Sequence, residues 1–168
     1  SLAISFCEAM ERKGRAARSV GLQIFATDLN PRAIAVARRG VYPATINQQV
    51  PAAILKRYFT SDTEGYQVVK KIRDMVIFAP HNLLFDPPFS RLDILSCRNL
   101  LIYLAPEVHA SVLERFHYSM NSQGYLLLGS SESIGPATHL FSALPGCGQI
   151  YRHIEGRPLE KQFSFLSY

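Results

Sequence analysis

The chain has 168 residues, of which 48% are apolar, and it carries a formal net charge of +5. A chain of this length can bury one sizeable core, so a single domain is the default expectation. No apolar run reaches the roughly 18 residues of a membrane-spanning helix, and residues 1–18 are charged where a signal peptide is not. We therefore expect no membrane insertion and a cytoplasmic location.

The three cysteines, Cys7, Cys97 and Cys147, are odd in number and widely spaced. They form neither a CxxC pair nor a Cys/His pair, so the sequence indicates neither a disulfide framework nor a metal site. We expect the chain to work in a reducing compartment without a bound metal.

The charge is uneven along the chain. Residues 1–73 hold 12 Lys/Arg against 5 Asp/Glu, whereas residues 74–168 hold 6 against 8. The basic half suits an acidic protein partner, and the alternative is a solvated, arginine-rich surface. Nucleic acid is not the expected partner, because the basic residues are not interleaved with aromatic ones and no nucleic-acid-binding motif is present.

In the first half of the chain, the sequence pattern predicts three helices and one strand. A helical pattern covers residues 1–18, and the apolar run Leu22–Thr27 predicts a strand that ends at Asp28. A helix over 31–38 follows, with Asn30 as its cap, Pro31 in its first turn and Gly40 as its stop. A second short helix is predicted over 51–58.

The second half continues with apolar strands and one clear helix. The predicted elements are a strand, turn and strand over 65–78, a strand Leu92–Ser96, a helix Pro106–Met120, a strand Tyr125–Leu128 and an extended piece Gln149–His153. Apolar strands that alternate with helices are typical of an α/β protein with a largely parallel sheet covered on both faces.

Polar residues follow several predicted strands. An acidic residue after a strand of an open α/β sheet is well placed to accept both ribose hydroxyls of a nucleotide, and Asp28 has that position. Asn82 and Asn99 follow two later strands and offer amide groups at the same edge. Each has an ordinary alternative, since aspartate caps helices and asparagine forms turns.

The segment Cys97–Tyr103 places an arginine, an asparagine and a tyrosine in otherwise apolar surroundings, where polar groups need partners. Arg98 could bind a carboxylate, and Tyr103 could shape a pocket. The alternative for Arg98 is a buried ion pair with Asp93 or Asp86.

Four segments together resemble the CheR-type chemoreceptor methyltransferases: FATDLNPRAIAVARRGVYP, VIFAPHNLL, FDPPFSRLDILSCRNLLIYL and QGYLLLGSSESIG. The resemblance implies a Rossmann-like methyltransferase sheet with a small antiparallel β-subdomain inserted at about 41–73. It covers residues 1–154, with 155–168 as a tail or linker. The family's first strand and glycine-rich loop are not found in the sequence, so the chain by itself is expected to bind cofactor weakly and to be inactive. The gap left by the strand is one through which two copies of the chain could dimerise.

The resemblance also implies a cofactor, S-adenosylmethionine, with S-adenosylhomocysteine as product. Its site residues are implied as follows: Asp28 for the ribose, Asn82 and Leu83 for the adenine, Asn99 and Tyr103 for the cofactor cleft, and Arg98 and Tyr103 for catalysis near the methyl group. We expect Asp28, Asn82, Asn99 and Tyr103 to converge on one cleft.

The reaction implied is methylation of glutamate carboxylates on a chemoreceptor or another acidic signalling protein. Because a glutamate is already ionised at neutral pH, no general base is needed. Two alternatives remain open. The segment Asp86–Phe89 is similar to a motif of nucleic-acid amino-methyltransferases, although it precedes the strand that it should follow, and the chain could instead be a non-catalytic signalling module.

Overall fold

A computed structural model describes residues 1–14, 20–63 and 65–155. The chain divides into two compact units, Ser1–Asn82 and Leu83–Tyr168. The predicted helix over 1–18 lies partly outside the described residues, and the predicted tail lies outside them except for Glu155.

The first unit contains four helices and five strands within its described residues. They are α1 (Leu2–Arg12), β1 (Ile24–Asp28), α2 (Pro31–Arg39), β2 (Val41–Tyr42), α3 (Ala52–Tyr58), β3 (Phe59–Asp62), β4 (Gly65–Val68), α4 (Lys70–Arg73) and β5 (Val76–Pro80), with a 3-10 helix at Ala44–Gln48. β1 pairs with β5 in parallel, and β2, β4 and β3 form an antiparallel sheet in that order.

Local sequence signals set both ends of α2. The Oδ1 atom of Asn30 accepts a hydrogen bond from the backbone N–H of Arg32 at 2.9 Å, and Pro31 occupies the first helical position. Gly40 ends the helix in a left-handed conformation with φ 63°. Local interactions therefore stabilise both ends of α2, the helix that follows β1.

The antiparallel sheet lies inside the range predicted for the β-subdomain. Gly65 begins β4 with φ 134°, and a Cβ atom built there would lie 2.3 Å from the carbonyl oxygen of Tyr42. Only glycine allows this backbone conformation and this approach together. Gly65 therefore permits β2 and β4 to meet.

The second unit contains one long helix and four strands within its described residues. They are β6 (Leu92–Ser96), α5 (Pro106–Ser119), β7 (Met120–Leu127), β8 (Phe141–Ala143) and β9 (Ile150–His153), with 3-10 helices at Leu101–Tyr103 and Ala137–His139. The strand order is β6-β7-β9-β8. β6 and β7 are parallel, whereas β9 is antiparallel to both of its neighbours.

The core of the second unit is centred on α5. Val112, Phe116 and Met120 recur at helical spacing and are buried together with Leu126 and Phe141 of the sheet. Burial of one such side chain contributes about 1.5–3 kcal/mol, so this apolar face accounts for much of the stability of the unit.

Two buried histidines hydrogen-bond to each other beside this core. The Nδ1–H of His153 donates to the carbonyl oxygen of Asn121 at 2.9 Å, and the Nε2 atom of His153 shares a hydrogen bond with the Nδ1 atom of His117 at 2.7 Å. Burial, followed by the neighbouring rings of His153 and His139, lowers the pKa of His117 from 6.5.

The sheets differ from the prediction in two respects. Among the described strands, parallel pairing is limited to β1 with β5 and β6 with β7, so the architecture is mixed α/β and not largely parallel. The prediction of coverage on both faces is also wrong for these strands. Phe25 and Ile77, which are opposite each other in register, are each 48% exposed, and Ile94 is 55% exposed.

Cys7 and Cys97 are buried, whereas Cys147 is exposed, and all three are free thiols. Within the described residues, no group of three or more His, Cys, Asp or Glu side chains is arranged to hold a metal ion. None of the described helices has the length and apolarity needed to cross a membrane.

Candidate functional site

Asp28 is the last residue of β1, and it is exposed. Its Oδ1 atom accepts a hydrogen bond from the backbone N–H of Asn30 at 2.7 Å, so the carboxylate also shapes the turn into α2. A carboxylate has about four acceptor positions on two oxygens, so this turn contact leaves it able to accept ribose hydroxyls.

Asn82 follows the strand next to β1. Asp28 is opposite Pro80 in the parallel register, and the backbone N–H of His81 donates to the carbonyl oxygen of Asp28 at 3.1 Å. Asn82 is the next residue, and it is partly exposed. The structure therefore brings Asp28 and Asn82 to the same edge of this sheet, as expected when parallel strands end together.

The loop after β6 carries the predicted residues of the second unit. Cys97 is buried, whereas Arg98 and Asn99 are exposed. Asn99 has a left-handed backbone with φ 59°, which asparagine tolerates better than most residues. The alternative of a buried ion pair for Arg98 is wrong, because Arg98 is at the surface and Asp93 accepts a hydrogen bond from Asn121 at 2.7 Å instead.

Tyr103 and Leu83 differ in exposure. Tyr103 ends the 3-10 helix that follows the loop, and it is 78% exposed. Leu83 is partly buried and packs against the core of the second unit. Convergence of the predicted residues on one cleft stays a prediction, as do their individual roles.

Glu132 is a residue that the sequence analysis missed. It is only 3% exposed. Its two carboxylate oxygens accept hydrogen bonds from four backbone N–H groups, those of Asn99 at 2.8 Å, Leu100 at 2.8 Å, Leu101 at 2.7 Å and Gly129 at 2.6 Å.

The hydrogen bonds to Glu132 keep it ionised. Burial by itself raises the pKa of a carboxyl group, but the four N–H donors outweigh that effect and lower the pKa of Glu132 below 4.5. The thiol of Cys97 responds in the opposite way, because burial and the nearby Glu132 charge raise its pKa to about 12. At neutral pH the loop after β6 therefore contacts an ionised carboxylate, that of Glu132, and contains an un-ionised thiol, that of Cys97.

The exposed polar groups are of the kinds that fit an adenosine-containing cofactor. The carboxylate of Asp28 can accept from vicinal hydroxyls, and the side chains of Asn82 and Asn99 can both donate to and accept from a purine or an amino-acid group. These observations define an α/β protein with candidate ligand-binding residues at the carboxyl ends of its parallel strands.

Comparison with known proteins identifies the family. Residues 1–148 match the family described as CheR methyltransferase, SAM binding domain. The chain therefore belongs to the CheR methyltransferase family, and the cofactor that the matched domain indicates is S-adenosylmethionine.

Three similar proteins illustrate the range of relatives. An uncharacterized 104.1 kDa protein of Rhodobacter capsulatus is 41% identical over 152 residues, which cover 90% of this chain and 16% of that protein. A chemotaxis protein methyltransferase of Vibrio parahaemolyticus is 34% identical, over 84% of this chain and 52% of the relative. Chemotaxis protein methyltransferase 1 of Pseudomonas aeruginosa is 37% identical, over 68% of this chain and 43% of that relative. The chain thus spans about half the length of these relatives or less.

Proposed function

We propose that this domain binds S-adenosylmethionine and that the natural full-length protein methylates glutamate carboxylates of a chemoreceptor or a related acidic signalling protein. The observation that carries the proposal is the match of residues 1–148 to the SAM-binding domain of a methyltransferase family. The names of the relatives from Vibrio and Pseudomonas favour a role in chemotaxis.

The proposed roles are those that the family resemblance implies, and the chemistry of the side chains is compatible with them. Asp28 accepts hydrogen bonds from the ribose hydroxyls, while Asn82 and Leu83 contact the adenine. Asn99 and Tyr103 line the cofactor-binding surface. The exposed guanidinium of Arg98 pairs with the acceptor glutamate, because arginine forms two parallel hydrogen bonds with a carboxylate.

The bound cofactor supplies a methyl group attached to positively charged sulfur. An ionised glutamate is a nucleophile at neutral pH, so the chain does not need to remove a proton from it. The task left to Arg98 is to hold one carboxylate oxygen in line with the methyl group, and such positioning is a major source of rate enhancement.

Cofactor binding is tested by titrating S-adenosylhomocysteine into the natural full-length protein and its Asp28→Asn variant. Asparagine keeps the Oδ1 atom that serves the turn to Asn30 but loses the charge. A charge-assisted hydrogen bond contributes about 1.5–3 kcal/mol, so affinity should fall roughly 10- to 100-fold. Asp74→Asn is the matched control, since it removes only the exposed ion pair with Lys70. Equal affinities of the wild type and Asp28→Asn would contradict the proposed role.

The reaction is tested with cofactor that carries a labelled methyl group, offered a receptor fragment and DNA side by side. Label on the receptor that is released as methanol by mild alkali identifies a carboxyl methyl ester. Transfer to DNA would favour nucleic-acid methylation, and cofactor binding without transfer to either acceptor would favour a non-catalytic module.

A further inference from the structure

We propose that Glu132 is a positioning residue whose carboxylate holds the loop after β6 in the conformation that presents Arg98 and Asn99. The inference rests on the proposed function, because it concerns how those two side chains reach the cofactor and the acceptor. The inference explains why the charged carboxylate of Glu132 is buried, although neither apolar packing nor catalysis requires a charge there.

The geometry is that of a backbone anion-binding concavity. The N–H groups of Asn99, Leu100 and Leu101 are consecutive and all point to the Glu132 carboxylate, at 2.7–2.8 Å. Asn99 is left-handed with φ 59°, whereas Leu100 is right-handed with φ −117° and ψ −46°. Adjacent residues of opposite hand turn successive N–H groups toward one point, which is how protein backbones bind anions.

The site is specific for a carboxylate. An ionised glutamate offers only acceptors, and here all four partners are donors. An amide in its place would direct an NH₂ group at two of those donors. Space is also tight, because a Cβ atom on Gly129 would lie 2.5 Å from Oε2 of Glu132 and 2.9 Å from Oδ1 of Asn99.

The carboxylate holds the loop from its buried side. Glu132 is 3% exposed, whereas the side chains of Arg98 and Asn99 are at the surface. The backbone between them is thus fixed internally while both side chains stay available to ligands. A left-handed, non-glycine residue is unfavourable by itself, so the four hydrogen bonds also stabilise the loop conformation against relaxation.

The test compares Glu132→Gln and Glu132→Asp with wild type in the natural full-length protein. Glutamine keeps the size and loses the charge, whereas aspartate keeps the charge and is one methylene shorter. If charge holds the loop, affinity for S-adenosylhomocysteine should decrease in the order wild type, Asp, Gln, with a loss of about tenfold for Gln, equivalent to about 1.4 kcal/mol. If Glu132 serves only for packing, the isosteric Gln variant should bind better than Asp, and the inference is overturned.

Glu114→Gln is the matched control, since Glu114 is an exposed glutamate on α5. It should bind like the wild type. All measurements are made at a temperature at which each variant is folded by circular dichroism. Unchanged affinity of a folded Glu132→Gln protein also overturns the inference.

Gly129→Ala disturbs the same contact by a change in the backbone donor's residue. This variant replaces the Glu132 variants in the test if those do not fold. The added methyl group should displace the carboxylate and weaken binding several-fold, whereas Gly21→Ala, where a Cβ meets nothing within 4 Å, should not. The wild type alone gives a further readout, since the amides of Asn99, Leu100 and Leu101 should exchange slowly with deuterium without ligand. Fast exchange at these amides would contradict the inference.

Failure of the proposed function gives a different result. If the wild type itself does not bind S-adenosylhomocysteine, the proposed function fails, whereas slow exchange at the loop would still show that the carboxylate holds the backbone. If the wild type binds and the variants do not follow the charge order, the inference about Glu132 fails by itself.

Discussion

Arg98 is an exposed cation on a loop whose backbone is fixed by hydrogen bonds to a buried anion. We predict that Arg98→Ala lowers the methylation rate far more than it lowers cofactor affinity, because its proposed partner is the acceptor carboxylate. Loss of such a positioned contact raises the activation free energy by roughly 2–4 kcal/mol. The measurement is kcat/KM for a receptor fragment alongside the Kd of S-adenosylhomocysteine.

Arg152→Ala, on β9, is the control for this experiment, since Arg152 is exposed and donates a hydrogen bond to Gln123. It should change neither quantity by more than about twofold, the range of ordinary surface substitutions. A decrease in cofactor affinity and thermal stability that parallels the decrease in rate of Arg98→Ala would show that the arginine has a structural role.

The histidine pair predicts how stability depends on pH. Because burial and neighbouring rings lower the folded-state pKa of His117 from 6.5, the unfolded chain binds a proton more readily than the folded chain. The free energy of unfolding should therefore be highest above about pH 6.5 and fall as the pH decreases below it. Urea unfolding at several pH values measures this slope.

His117→Asn isolates the contribution of the ring. The asparagine amide can still form a hydrogen bond with His153 but does not titrate, so the variant should be less stable overall and its stability should vary less between about pH 7 and 5. Between about pH 8 and 9 the two proteins should have the same slope. An unchanged slope at low pH would assign the effect to other groups.

At the scale of elements, residues that start or end helices and strands made much of the fold predictable. Pro31 and Pro106 start α2 and α5 as expected, and β6 has the bounds that its apolar run predicts. The strands β2, β3 and β8 were missed because they are two to four residues long and are defined by their partners rather than by a local pattern.

The buried polar groups could not be predicted for a related reason. Three of the four donors to Glu132, and the partners of His117 and His153, lie about 30 residues away or more in the sequence, so little in the local sequence separates these residues from surface residues. Asp28 was easier to identify, because a strand followed by a helix cap fixes the position of an acidic residue at a sheet edge.

Gly65 provides a prediction about the antiparallel sheet. Gly65→Ala should lower the free energy of unfolding by about 3 kcal/mol, because it combines a strained φ with an overlap onto the carbonyl oxygen of Tyr42. Chemical denaturation with urea measures the change. Gly21→Ala, which adds a methyl group in open space, should change it by less than about 0.5 kcal/mol. A small effect at Gly65 would mean that the sheet can move apart at little cost.

For the whole molecule, the basic character of residues 1–73 predicts salt-sensitive recognition of an acidic partner. This part of the chain has 12 Lys/Arg against 5 Asp/Glu. Because the screening length shortens from about 10 Å at 0.1 M salt to about 3 Å at 1 M, KM for a receptor fragment should rise with salt. Lys56→Glu should raise KM and weaken the salt dependence.

The Kd of S-adenosylhomocysteine is the internal control, since this ligand has no net charge and should respond little to salt. A KM that does not change with salt would support the alternative that the arginine-rich surface is only solvated.

The difference in exposure among the three cysteines determines where a fluorescent label can be attached to the protein. A thiol reacts with maleimides as its thiolate, and burial removes Cys7 and Cys97 from attack, with the pKa of Cys97 raised to about 12. Cys147 is exposed in the turn between β8 and β9. A fluorophore should therefore attach at this one position in the native chain, without engineered cysteines and without touching the loop that carries Arg98.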